Sequence, residues 1–134
     1  MSEILFVSAV PLLQMLIAFG LINVWLLRSG RQTKYRGGDA RTMKEEFSVY
    51  GLPVWFMYMV GFFKILIAVV MLITVFVPFL MQTLGITALC ILCLLMLGAI
   101  SMHIKVRDPL VKIIPAMGML VLALLVLYLV TFVV

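Results

Sequence analysis

From Val54 to Phe79 the chain is apolar almost without break and carries a single charge, Lys64. A helix needs about 20 such residues to cross a bilayer, and this run exceeds that. Lys64 lies ten residues into the run. At a rise of about 1.5 Å per residue that is roughly 15 Å deep, near the midplane of a hydrocarbon layer about 30 Å thick. A lysine there costs about 2.5–3.5 kcal/mol on insertion scales, so it is expected to face protein or a water-filled cavity rather than lipid. Snorkelling to the surface is the alternative, but the lysine stem reaches only roughly 6 Å.

Three further apolar segments approach or exceed the length that a membrane helix needs. Of the 134 residues 66% are hydrophobic and only 11% charged, with a mean hydropathy of +1.33. Soluble domains carry about 25% charged residues, so the composition specifies an integral membrane protein. Predicted spans are 4–27, 54–77, 84–102 and 110–134, forming one all-α four-helix transmembrane domain over residues 1–134. The first residues lack the basic region of a signal peptide.

The net charge of +5 is a matter of topology, not of nucleic-acid binding. Arg28, Arg31, Lys34, Arg36, Arg41 and Lys44 lie in the first loop, and Lys105, Arg107 and Lys112 at the third connection. The second connection and both ends have none. The positive-inside rule then places both charged loops in the cytoplasm and both termini outside. Trp25, Tyr50, Trp55 and Tyr58 fall near the cytoplasmic interface, where aromatic rings collect. Within the first loop Gly37-Gly38 marks a turn, and Thr42 three residues before Glu45 is the pattern of a capping box. A short amphipathic helix is expected there on the membrane surface, with Phe47 and Tyr50 inward, broken by Gly51-Leu52-Pro53.

Helical spacing puts Met57, Gly61, Lys64 and Ala68 on one face of the second span, and Pro11, Gln14 and Ala18 on one face of the first. Gln14 and Lys64 fall at similar depth, which makes a hydrogen bond between them an expectation. Gln14, Gly61, Lys64, His103 and Asp108 form the candidate binding pocket. With no carboxylate at its depth, Lys64 needs Gln14, backbone, water, a partner subunit or an anionic or quinone-like ligand, or else loses its proton. Glu45, Glu46, Tyr50, Lys105 and Arg107 are expected to build a polar patch around His103 at the mouth of the bundle. There His103 either relays protons or caps its helix.

Thr87, Cys90, Leu94, Gly98 and Ser101 form a stripe of mostly small residues on the third span, the pattern of a packing seam. Cys90 and Cys93 are one helical step apart, but a redox thiol needs access and a lowered pKa, and apolar residues surround both. The chain has no phosphate loop, nucleophile elbow or HExxH-type zinc motif, and one His with scattered carboxylates is a poor metal set. No catalytic residue and no metal site are assigned.

Several stretches together resemble the DoxX-like family of small four-helix membrane proteins. They are Glu46-Phe47 with Tyr50-Gly51-Leu52-Pro53, then Gly61-Phe62-Phe63-Lys64, the run from Gly98-Ala99 through His103, Lys105 and Val106 to Asp108-Pro109, and Pro115-Ala116. The resemblance implies a four-helix transmembrane fold, placed in a bacterial inner membrane. Its name comes from a subunit of a thiosulfate:quinone oxidoreductase, other bacterial members are associated with redox-defence complexes, and distant eukaryotic relatives resemble cargo receptors. Many relatives carry Glu where Lys64 stands, so an acidic-residue mechanism does not transfer. The expected function is a non-catalytic subunit of a membrane complex, binding a partner protein, membrane lipid or a quinone and associating with other membrane subunits or with itself. The alternatives are a quinone-linked oxidoreductase component, with quinone as cofactor, and a small transporter.

Overall fold

The computed structural model describes residues 2–27, 30, 31 and 33–133. Arg28, counted among the cations of the first loop, and Val134, the end of the fourth predicted span, lie outside the described residues. Helix α1 spans Ser2–Ile22 and widens into a π-helical turn over Asn23–Leu27. A short α2, Met43–Val49, follows in the first loop. Helix α3 is Val54–Phe76, α4 Leu84–Lys105 and α5 Leu110–Tyr128, the last continuing as a π-helical turn over Leu129–Val133. A 3₁₀ turn, Pro78–Gln82, joins α3 to α4.

Four helical segments are long and apolar enough to cross a membrane: Ser8–Leu27, Val54–Phe76, Leu84–Lys105 and Leu110–Val133. At most a third of each is buried (22–33%). The remainder shows Leu16, Phe19, Trp55, Phe62, Phe76 and Phe132 to the outside. Soluble monomers rarely expose apolar patches beyond a few hundred Å², so the bundle is a membrane-embedded one. Around it α1 packs on α3, α3 on α4, α4 on α5 and α5 back on α1. Short connections make α3, α4 and α5 successively antiparallel.

The loop between α1 and α3 is punctuated as its sequence suggests, with one difference. Thr42 caps α2 by accepting from the Glu45 N–H at 3.2 Å. The Glu45 carboxylate returns to the Arg41 N–H at 2.7 Å rather than to Thr42. At the other end Gly51 takes a φ of +80°, the Leu52 N–H bonds Phe47 O and the Gly51 N–H bonds Ser48 O. That is a Schellman stop. The α4 helix ends the same way but one turn later than the predicted Met102. Arg107 holds a φ of 58°, while the Asp108 N–H reaches His103 O and the Arg107 N–H reaches Ile104 O. An arginine in that left-handed conformation costs about 1–2 kcal/mol, and the arrangement returns Asp108 toward the helix it has just left.

The two ends of the bundle differ. Towards the α3–α4 turn it is closely packed, around Ile17, Ala18, Ala68, Met71, Leu89, Leu92, Ala123 and Val126. Alanines at the helix contacts let backbones approach. Buried in this half, Gln14 Nε2 donates to Thr74 Oγ1 at 2.7 Å and more weakly to Met71 O at 3.3 Å. The expected bond to Lys64 is therefore not made. Thr74 is ten residues beyond Lys64, about 15 Å along α3, and antiparallel packing matches Gln14 to Thr74. The small-residue stripe of α4 is a second correction. Thr87, Cys90, Leu94, Gly98 and Ser101 are all exposed, because α4 packs through Gly85, Ala88, Leu89, Leu92 and Met96 instead.

Gln14→Met keeps the length of the side chain and removes the donor. We expect it to lower stability in detergent by about 0.5–1.5 kcal/mol, the range for hydrogen bonds between membrane helices. A thermal or SDS unfolding midpoint equal to that of the wild type would show the bond to be idle.

Candidate functional site

At the loop end the helices part around a cavity of about 490 Å³. That falls within the roughly 300–1,000 Å³ typical of small-molecule sites. Its wall is mostly apolar: Leu21 of α1 and Val24 of the π-helical turn that follows, Phe56 and Val60 of α3, Leu95 and Met102 of α4, Ala116 and Met119 of α5. Exposed Leu94 and Gly98 also line it, so it opens sideways along α4. Helix α2 covers the end, presenting Met43, Glu46, Phe47 and Tyr50 inward.

Lys64 is the cation in the depth of this cavity. Its Nζ stands 4.9 Å from the centroid of the Trp25 ring, within cation–π range. Trp25 is carried by the widened turn at the end of α1, and such turns recur at functional sites. It also meets Phe47 edge-on, at a centroid distance of 6.1 Å. Gly61 makes room for it: a Cβ there would lie 2.7 Å from the indole. Sequence reasoning treats Trp25 as a headgroup anchor; in the fold it turns inward over Lys64. Among the described residues the indole is the group in direct contact with the Lys64 ammonium, and the Glu46 carboxylate of the same cavity acts on it through its charge, without an ion pair.

A second set of polar groups closes the mouth. Glu46 accepts from Arg36 Nη1 at 3.1 Å, from the Gly37 N–H at 3.1 Å and from the Tyr50 hydroxyl at 2.6 Å. The Tyr50 oxygen is 3.5 Å from His103 Nε2, and His103 Nδ1 is 2.7 Å from Asp108 Oδ2. The other oxygen of Asp108 accepts from the Gly38 N–H at 3.0 Å and lies 3.7 Å from Lys112 Nζ, which donates to Gly38 O at 2.6 Å. Gly37 cannot be larger, since a Cβ would fall 2.5 Å from the Tyr50 oxygen. The chain of contacts thus joins the first loop, α2, α4 and α5.

Burial and the neighbouring Glu46 carboxylate that it bonds push the Tyr50 hydroxyl far above the ordinary tyrosine range. It stays a neutral donor to Glu46. Burial alone would raise Asp108, but the bonds from His103 and the Gly38 N–H, with the charge of Lys112, outweigh it and hold the carboxyl below its usual range.

Of the residues singled out from the sequence, Lys64 and His103 line the cavity, while Gly61 and Asp108 stand behind it, supporting Trp25 and His103. Gln14 belongs to the packed half. In the expected polar patch Glu46 and Tyr50 line the mouth, and Lys105 Nζ donates to Tyr50 O at 2.9 Å. Glu45 and Arg107 are exposed and serve as helix punctuation. Arg36, Lys112 and Trp25 are the additions. Arg36 stands beside the Gly37-Gly38 turn and Lys112 one turn after Asp108, signals that read from sequence only as a loop and a topology charge. Cys90 is exposed and Cys93 packs at the edge of the core. Among the described residues no group of three or more His, Cys, Asp or Glu is disposed to hold a metal.

Comparison with known proteins gives one finding. A family model described as the DoxX-like family matches residues 12–127. No curated protein and no solved structure matches the chain.

Because Asp108 is held below its ordinary value, it adds stability at neutral pH, and that contribution fades as pH falls below about 4 towards its folded-state value. Asp108→Asn should lower the unfolding temperature at pH 7 and flatten the loss between pH 5 and pH 3, relative to the wild type. Parallel acid profiles for the two proteins would remove Asp108 from the fastening.

Proposed function

The chain belongs to the DoxX-like family, and from that premise we propose that it is a non-catalytic subunit of a membrane complex whose bundle binds an amphiphile from the bilayer, a lipid or a quinone. The observation carrying this reading is Lys64: a cation in an apolar cavity with an aromatic face as its partner. An intramembrane lysine costs about 2.5–3.5 kcal/mol and a cation–π contact returns about 0.5–2 kcal/mol. The shortfall is what an acceptor oxygen in the cavity would supply, whether ester, carbonyl or water. The sideways opening at Leu94 and Gly98 gives such a ligand a route from the membrane. The Lys and Arg distribution supports a cytoplasmic position for the α2 end and both termini outside, with α2 lying at the interface of a bacterial inner membrane.

A second reading, a quinone-linked oxidoreductase component, draws on the two ends of the cavity. Lys64 at one and His103 at the other could each meet one carbonyl of a quinone, while a partner subunit would supply the electrons.

The test is purification from native membranes in mild detergent, followed by mass spectrometry of extracted small molecules and co-purifying proteins. We expect a near-stoichiometric amphiphile, depleted in Lys64→Met. Unliganded Lys64→Met should itself be more stable by roughly 0.5–3 kcal/mol, the shortfall above. Phenylalanine at Gly98, where an added Cβ meets nothing within 4 Å, should obstruct the cavity. That variant should unfold no earlier than wild type, since glycine costs a helix about 0.5–1 kcal/mol relative to alanine, yet retain little ligand. Equal retention by all three proteins would sink the cavity reading. Stoichiometric quinone together with redox-active partners would select the second reading over the first.

A further inference from the structure

We infer that the amphiphile is a lipid with an anionic, phosphate-bearing headgroup, seated head-outward in a basic recess beside the cavity and tail-inward in the cavity itself. This rests on the amphiphile reading above and names its ligand class.

The recess, about 390 Å³, is polar and lies against the first loop. Thr33, Lys34, Arg36, Arg41 and Lys112 line it, with Asp39 as its one carboxylate. Thr33, Arg36 and Lys112 line the apolar cavity as well, so the two spaces share a wall. One molecule touching both must be polar and anionic at one end and apolar at the other. Two of the cations are already engaged: Arg36 with Glu46 at 3.1 Å, and Lys112 with Gly38 O and, at 3.7 Å, Asp108. They fix the rim. Lys34, whose Nζ stands 5.2 Å from the centroid of the Tyr35 ring, and Arg41 are exposed and outnumber Asp39. Among the described residues they are the charges of the recess without a carboxylate or carbonyl acceptor, and so the ones to attract a headgroup. The Thr33 hydroxyl adds a donor at the junction.

Volume points the same way. At about 490 Å³ the cavity is within the range of small-molecule sites, and whatever part of the lipid it does not take would lie in the bilayer through the opening at Leu94 and Gly98. In this pose the acceptor oxygen that Lys64 requires is an ester carbonyl of the buried chain. A free phosphate would fill only the recess, leave the cavity unused and gain nothing from Gly98 or Lys64. A neutral amphiphile would use the cavity and ignore Lys34 and Arg41.

The experiment uses the full chain in nanodiscs of equal parts phosphatidylglycerol and phosphatidylcholine, with retained lipid counted after transfer to detergent. Wild type should retain phosphatidylglycerol preferentially. In Lys34→Gln/Arg41→Gln, two exposed substitutions, the preference should fall by about fivefold for each charge, the effect of a cation near an anionic headgroup. Gly98→Phe should lose both lipids. Equal retention of the two lipids by wild type, still abolished by Gly98→Phe, would overturn the headgroup assignment and leave the cavity reading standing. Retention indifferent to Gly98→Phe would overturn both, since the lipid would then be surface-bound. Inorganic phosphate raising the unfolding temperature of lipid-free protein as much as phosphatidylglycerol does would make the recess an anion site only, and would also overturn the proposal.

Discussion

Two buried carboxylates, Glu46 and Asp108, hold the loop end of this bundle together. Each accepts from a backbone N–H of the Gly37-Gly38 turn, Glu46 from Gly37 and Asp108 from Gly38. Each also takes a cation, Arg36 or Lys112, and the Tyr50–His103 contact lies between them. Where water is scarce a carboxylate is tolerated only when its lone pairs are filled, and here the filling groups come from the loop, α2, α4 and α5. The arrangement draws α2 across an opening that α1, α3, α4 and α5 would otherwise leave.

Between membrane helices there is no hydrophobic drive to close a gap, because lipid is as apolar as leucine. Side-chain size then decides how near the helices come. Ala18, Ala68, Ala88 and Ala123 bring them together in one half. In the other, Trp25, Phe47, Phe56, Tyr50 and His103 keep them apart. Gly61 works in the opposite sense from the alanines: it admits the indole rather than a neighbouring helix. The hollow half contains the lysine, and the packed half resolves its own polar pair, Gln14 and Thr74, internally.

Much of this is legible in the sequence, and the reasons are local. Hydropathy and length define membrane helices because a bilayer forces backbone groups to bond within the segment. Glycine at Gly51 and the Thr42–Glu45 spacing announce the ends of α2 through short-range chemistry. The face of α3 that holds Met57, Gly61, Lys64 and Ala68 follows from helical period alone. What periodicity cannot give is which of two apolar faces meets protein and which meets lipid, since both are equally greasy. Hence the stripe from Thr87 to Ser101 faces outward. Depth is equally degenerate: Gln14 and Lys64 are each ten residues from an end, but of antiparallel helices whose relative slide is set by packing. The Arg36–Glu46 and Gly38–Asp108 contacts, the latter 70 residues apart in sequence, depend on how the loop folds back.

The cover formed by α2 also bears on how a ligand would arrive. Glu46 and Tyr50 are fastened across the end, the basic recess lies on the far side of a shared wall, and exposed Leu94 and Gly98 border the cavity on the side facing the bilayer. A water-soluble ligand would meet the polar fastening first and an apolar cavity after it, an order that offers it little. On the proposed reading, a membrane ligand would slide its tail past Leu94 and Gly98 and leave its head where Lys34 and Arg41 stand. In that sequence each part of the molecule meets the chemistry that suits it, and the carboxylate fastening never has to open.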